Sequence, residues 1–180
     1  FDKKYMPSIV YTPLNGTGLI PVEKIFKKIG ITDYTVVPEQ KYPDGNFPTC
    51  PYPNPEFKEA LEKAIETAEK NDAELIIASD PDADRTGVAF REKNGEYRLL
   101  NGNEAGALLV YFILATKKAQ NTIPDKPFII STIVTSPLPE KIAESFGVET
   151  INVLTGFKYI GEAIDKNPDK NFVFGVKFSK

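Results

Sequence analysis

The chain has 180 residues, 41% hydrophobic and 26% charged, an ordinary globular composition with enough length for one substantial core or two small ones. Lysine and arginine number 22 against 25 acidic residues, a net charge of −3, so no basic field argues for nucleic acid. No apolar run approaches the roughly 20 residues needed to span a bilayer, and the N-terminus lacks the basic-then-apolar layout of a signal peptide.

Two residue counts narrow the chemistry. There is no histidine, so the side chain that most often moves protons near neutral pH is missing, and any catalysis rests on carboxylates, lysines, hydroxyls or a metal. The single Cys50 cannot form an internal disulfide, which makes a reducing cytoplasm the expected setting. It lies among prolines with no histidine to activate it, so a catalytic thiol is not expected.

Strand-like and helical patterns alternate along the chain. "SIVYTPL" (8–14) reads as a buried strand, and "PVEKIFKKIG" (21–30) as a helix with proline in its first turn and glycine past its end. "YTVVPE" is a short strand, and residues 41–55 form a proline-rich loop. In "NPEFKEALEKAIETAEKND" the apolar positions Phe57, Leu61, Ala64, Ile65 and Ala68 recur at helical spacing, with Asn54 as candidate N-cap and Pro55 at the first helical position. "AELIIAS" is a strand, "TGVAFREKNGEYRLLNG" a hairpin turning at Asn94-Gly95, and "GNEAGALLVYFILATKKA" a long apolar helix.

A second series follows. "KPFIISTIV" is a strand, "SPLPEKIAESFG" a helix, "VETINVLTG" a strand, "FKYIGEAIDKN" a helix and "NFVFGVKF" a closing strand. The polar segment 117–126 marks the expected boundary, giving two consecutive α/β domains, 1–120 and 121–180.

The chemistry concentrates in "SDPDADRTGVA" (79–89). Asp80, Asp82 and Asp84 step by two after an apolar strand, so in an extended or curved loop their carboxylates converge. Three such groups repel unless a cation joins them, and hard oxygen donors suit Mg²⁺. The plain reading is a solvated acidic turn. An EF-hand loop also opens D-x-D-x-D, but it needs Gly at its sixth position and Glu at its twelfth. Those positions hold Arg85 and Arg91. Arg85 can either neutralise the carboxylates or hold a phosphate.

The same string resembles the metal-binding loop of the α-D-phosphohexomutase superfamily, the phosphoglucomutases and phosphomannomutases. "YTPLNGTG" (11–18) is similar to the segment that opens the family's second domain, with Asn15 where the phosphoglucomutase branch has histidine. "FPTCPYPNPE" is similar to a loop of that branch, with Pro53, Asn54, Pro55 and Glu56 as the matching core. "VLTGFKYIGEAI" (153–164) resembles a third-domain loop that faces the phosphosugar. As bare patterns the first is a tight glycine turn and the last a glycine after a strand with lysine on a solvated helix face.

The resemblance implies α/β domains with mixed sheets flanked by helices, as in the family's second and third domains. It implies Asp80, Asp82 and Asp84 as Mg²⁺ ligands, Arg85 as a catalytic group beside the transferring phosphate, and Thr155, Gly156 and Lys158 as substrate-binding groups. It implies hexose phosphates such as glucose or mannose phosphate as substrate, a glucose 1,6-bisphosphate-type activator, and the remaining domains of a parent enzyme as partners. Nothing resembles the family's phosphorylated serine segment. The end of the chain also departs from the pattern, with Lys177 and Phe178 where sugar-binding carboxylates are expected. The chain is therefore expected to be a piece of a mutase that binds metal without turnover. The rival expectation is a non-enzymatic module that holds an anionic, sugar-phosphate-like ligand through Asn15–Gly18, Thr155 and Lys158.

Overall fold

The computed structural model describes residues 6–176, and the chain divides into two compact units between Asn101 and Gly102. In the first unit, strands β1 (Ile9–Thr12), β2 (Tyr34–Val36), β3 (Leu75–Ser79), β4 (Thr86–Arg91) and β5 (Tyr97–Leu99) form one sheet in the order β2-β1-β3-β4-β5. β1 runs parallel to both β2 and β3, whereas β4 and β5 are antiparallel additions. Every residue of β1 is buried, the signature of a strand covered on both faces and the reason "IVYT" shows no polar alternation.

Helix α1 (Leu19–Ile29) packs Leu19 and Phe26 on Ile9 and Tyr11. Helix α2 (Glu62–Lys70) packs Ala64 and Ala68 on the opposite face against Val10, Ile76 and Ala78. The two sets alternate along β1 and β3, as the two-residue period of a strand requires. α1 stops at Gly30, whose φ of 81° lets its own N–H donate to the Lys27 carbonyl at 3.3 Å and the Ile31 N–H donate to the Phe26 carbonyl at 2.9 Å, and two lysines in the last turn complement the helix dipole.

The start of α2 differs from the sequence expectation. Asn54 does not cap it: its Oδ1 accepts the Glu56 N–H at 3.0 Å, closing a local turn. A 3₁₀ turn at Lys58–Leu61 intervenes, and the α-helix begins at Glu62. Pro55 is held instead by the sheet, since a Cβ on Gly87 would lie 2.2 Å from the Pro55 carbonyl oxygen. The proline loop thus rests on bare β4 backbone.

The second unit starts earlier than the polar segment 117–126 suggested. Helix α3 (Gly102–Ala119) contributes Val110 and Leu114 to a core shared with Ile129, Ala143, Val148 and Val176, so it belongs with the strands that follow it. Those strands, β6 (Pro127–Thr132), β7 (Glu149–Val153) and β8 (Asn171–Val176), form a sheet in the order β7-β6-β8. Both pairings are parallel, so the mixed character expected of both sheets is met in the first unit only, among the described residues. Helix α4 (Leu138–Ser145) joins α3 on one face of this sheet, and helix α5 (Phe157–Asp165) covers the other through Ile160 and Ala163.

Candidate functional site

Asp80 follows the last residue of β3, at the carboxyl end of a central parallel strand, where open α/β sheets place their ligands. It is only 2% exposed. Its Oδ1 accepts the Arg85 N–H at 2.9 Å, its own N–H donates to the Arg85 carbonyl at 3.3 Å, and its carbonyl accepts the Ala83 N–H at 3.0 Å. These bonds close a tight loop in which Ala83 takes a φ of 60°. The turn brings one carboxylate oxygen each of Asp80, Asp82 and Asp84 within 4.8 Å of one another. Burial, first, and the nearby Asp82 and Asp84 carboxylates raise the Asp80 carboxyl above its ordinary range, against the opposing Arg85 N–H.

The donor set fits a hard divalent cation. Three carboxylate oxygens this close together can join on one such ion with a modest closing of the loop, and the exposed Asp82 and Asp84 are the members able to move. Arg85 currently compensates the charge: its Nε lies 3.1 Å from Asp80 Oδ2 and 3.6 Å from Asp84 Oδ1.

The glycine turn after β1 buttresses this loop. The Thr17 N–H and hydroxyl donate to the Pro81 carbonyl at 2.9 and 3.1 Å. A Cβ on Gly16 would sit 2.3 Å from Pro81 Cα, and one on Gly18 2.3 Å from Ser79 Oγ and 2.5 Å from the Tyr11 hydroxyl. Tyr11 and Ser79 are themselves hydrogen-bonded at 2.8 Å and buried. Ser79, the serine beside the aspartates, is therefore packed as structure rather than presented as a nucleophile.

Asn15 does not serve an anion either. Its amide donates to the carbonyls of Glu39 at 3.2 Å and Tyr42 at 2.9 Å, using both donors. Nearby, the Thr12 hydroxyl donates to Gln40 Oε1 at 2.7 Å, and Gln40 Nε2 donates to Thr49 at 3.0 Å. This buried network ties the proline loop to the end of β1. No local pattern marks Tyr11, Gln40 or Thr49 for these roles; the G-x-G spacing at Gly16 and Gly18 is the available signal for the close approach.

Thr155, Gly156 and Lys158 lie together at the β7–α5 turn of the second unit. Thr155 and Lys158 are exposed, and Gly156 takes a φ of 143° that favours glycine. The first turn of α5 has no acidic residue and no side-chain cap, which leaves a helix end suited to an anion. The Lys158 ammonium lies 4.7 Å from the Tyr159 ring centroid. Lys177 and Phe178 lie outside the described residues.

The chain thus consists of two α/β/α units, with a carboxylate cluster at a strand end in the first and a glycine turn beside Lys158 in the second. The comparisons give the family. Residues 2–95 match the model described as phosphoglucomutase/phosphomannomutase, alpha/beta/alpha domain II, and residues 101–177 match domain III of the same description. A phosphoglucomutase from Staphylococcus saprophyticus is 38% identical over 174 residues, covering 95% of this chain and 31% of its own length. A phosphoribomutase from Saccharomyces cerevisiae is 41% identical over 172 residues, covering 89% of this chain and 27% of its own length. The solved structure of Aspergillus fumigatus N-acetylphosphoglucosamine mutase in complex with GlcNAc-6P and magnesium superposes with a TM-score of 0.61 at 18% identity, over 89% of this chain and 33% of that one. The chain belongs to the phosphoglucomutase/phosphomannomutase family. It spans less than a third of the length of these two curated relatives.

Proposed function

We propose that this chain supplies the metal site and part of the phosphosugar site of a mutase that moves a phosphoryl group between the C1 and C6 hydroxyls of a hexose phosphate. The observation that carries this reading is the convergence of Asp80, Asp82 and Asp84 within 4.8 Å at the end of β3, on a scaffold buttressed by Gly16 and Thr17. Magnesium is the assigned ion, from the hard oxygen donors and from its presence in the Aspergillus relative. Bound there, it would offset negative charge as the phosphoryl group moves.

The protein's own groups have distinct parts in this reading. Asp80 is the fixed ligand, held by the Arg85 N–H, while the exposed Asp82 and Asp84 close on the ion from the solvent side. With the carboxylates engaged on a cation, the Arg85 guanidinium, now 3.1 Å from Asp80 Oδ2, would be free to turn to phosphate oxygens, which it can hold in bidentate fashion. Thr155, the Gly156 backbone and Lys158 bind the phosphate that is not in transit.

The phosphorylated serine belongs to a part of the parent enzyme beyond these 180 residues, and a glucose 1,6-bisphosphate-type activator serves to phosphorylate it. A cytoplasmic setting goes with this reading. No helix among the described residues is long and apolar enough to cross a membrane. Isothermal titration with Mg²⁺ or Mn²⁺ tests the site: Asp82→Asn is expected to bind about tenfold more weakly or worse. Unchanged affinity would remove the aspartate loop as the metal site.

A further inference from the structure

The shape of the aspartate loop does not depend on the Arg85 side chain. Main-chain groups close the turn: the Asp80 N–H donates to the Arg85 carbonyl at 3.3 Å, the Ala83 N–H to the Asp80 carbonyl at 3.0 Å, and the Arg85 N–H to Asp80 Oδ1 at 2.9 Å. From the β1–α1 turn, the Thr17 N–H and hydroxyl hold the Pro81 carbonyl. None of these bonds uses the guanidinium. Its Nε lies instead 3.1 Å from Asp80 Oδ2 and 3.6 Å from Asp84 Oδ1, so one side-chain cation spans two of the three carboxylates.

Both oxygens of the buried Asp80 are thus met by one residue, Oδ1 by the Arg85 main chain and Oδ2 by its side chain. The side-chain pair is the one that can be given up. The Arg85 side chain is 42% exposed, and an ion pair open to water contributes little stability. The guanidinium is also repelled by any divalent ion joined to the same oxygens. Breaking the pair leaves the loop closed, because the main-chain bonds remain.

The same pairing bears on anions. While the guanidinium sits against Asp80 and Asp84, the triad neutralises its charge, and three carboxylates against one cation leave the loop negative. Such a field repels phosphate. Displaced from the carboxylates, the guanidinium is a permanently charged, planar fork that can grip two phosphate oxygens at once. Its two states therefore differ in what the site accepts.

We infer that Arg85 is a displaceable latch that couples the two ligands of this site. In the metal-free loop its guanidinium competes for the carboxylates and is withheld from anions; with a divalent cation on the triad it is released, so cation and phosphate bind with positive cooperativity. The inference rests on the metal reading of the aspartate loop given above. Linkage makes the effect reciprocal: the factor by which the cation raises phosphate affinity is the factor by which phosphate raises cation affinity. It also sets the sign of a substitution. A residue that supports the metal loop weakens cation binding when it is lost, whereas loss of a competing latch strengthens it.

The chain has three arginines, Arg85, Arg91 and Arg98, and Arg91 and Arg98 pair elsewhere, with Asp72 and Glu92. A ¹H–¹⁵N spectrum of the full 180-residue chain therefore carries three arginine Nε–H signals, and Arg85→Gln identifies the one that disappears. Mg²⁺ is expected to shift the Arg85 signal and leave the other two still, and inorganic phosphate is expected to move it further only once Mg²⁺ is present. By isothermal titration, saturating phosphate should tighten Mg²⁺ binding about fivefold. Without phosphate, Arg85→Gln should bind Mg²⁺ about fivefold more tightly than the wild type, and phosphate should no longer improve it. Arg85→Lys, which keeps the charge and loses the fork, should bind Mg²⁺ as the wild type does, with a smaller gain from phosphate. Weaker Mg²⁺ binding by Arg85→Gln would make the guanidinium a support of the loop and overturn the latch. An equal gain from phosphate in Arg85→Gln would overturn it too, since the anion would then be meeting the cation directly. If the wild type binds Mg²⁺ while its Arg85 signal stays still, the latch falls and the metal reading stands. If Mg²⁺ binds neither protein, both readings fall together.

Discussion

At Asp80 a buried carboxylate faces two others, and the only compensation in the described loop is the half-exposed Arg85 guanidinium. Such a group costs stability while it lacks a cation and repays it when one binds. In EDTA, Asp80→Asn is therefore expected to melt higher than the wild-type chain, because the amide keeps the Oδ1 acceptor for the Arg85 N–H and removes the like-charge repulsion. Adding Mg²⁺ should reverse the order: at a hundredfold excess over Kd the wild type gains about 2.7 kcal/mol, and the variant gains little. Equal Mg²⁺ stabilisation of both chains would show that Asp80 is no ligand. Gly16 gives a second residue-scale prediction. A methyl there meets the Pro81 backbone at 2.3 Å, whereas one on Gly45 meets nothing within 4 Å. Gly16→Ala should cost about 1–3 kcal/mol and loosen metal binding, while Gly45→Ala stays within about 0.5 kcal/mol; urea midpoints separate the two. The aspartates were legible in the sequence because like charges at that spacing after a strand have few uses. The support was not, because Gly16 and Pro81 are far apart in the chain and meet only through the pairing of β1 with β3.

Elements read from local pattern alone held where the pattern was strong. α3 matches its predicted span, and the hairpin turns with Gly95 at a φ of 90°. What failed was the start of α2 and the domain boundary, for two different physical reasons. At α2 a favourable N-cap sequence, Asn54-Pro55, is overridden by packing of Pro55 on Gly87. At the boundary, an apolar helix shows that it must be buried but not against which sheet, and polar residues 117–126 are only the turn that follows it. The assignment of α3 is testable by truncation. Residues 102–180 are expected to fold cooperatively by circular dichroism and urea melting, whereas 121–180 lose Val110 and Leu114 from the core and should not. Within the longer piece, Leu114→Ala should cost about 2–5 kcal/mol. Phe112→Ala, on the exposed side of the same helix, should change stability by no more than about 0.5 kcal/mol. Comparable losses at both positions would mean that the buried face has been misassigned.

For the whole molecule, the decisive separation is between binding and turnover. Ser79, the serine next to the aspartate loop, is locked to Tyr11 by a 2.8 Å hydrogen bond and is not presented as a nucleophile. The two curated relatives named above, at 38% and 41% identity, carry the names phosphoglucomutase and phosphoribomutase, so family membership alone does not select the sugar. The chain as purified is therefore expected to bind Mg²⁺ and a hexose phosphate yet show no conversion of glucose 1-phosphate to glucose 6-phosphate above the uncatalysed rate, with or without glucose 1,6-bisphosphate. A coupled dehydrogenase assay for glucose 6-phosphate reads this directly. Phosphorylation of the chain by the bisphosphate, followed by mass spectrometry, adds an independent readout: no serine should carry the group. Turnover, or a stoichiometric phosphoserine within residues 6–176, would overturn the division of labour proposed here, because it would place nucleophile and metal site in the same 180 residues.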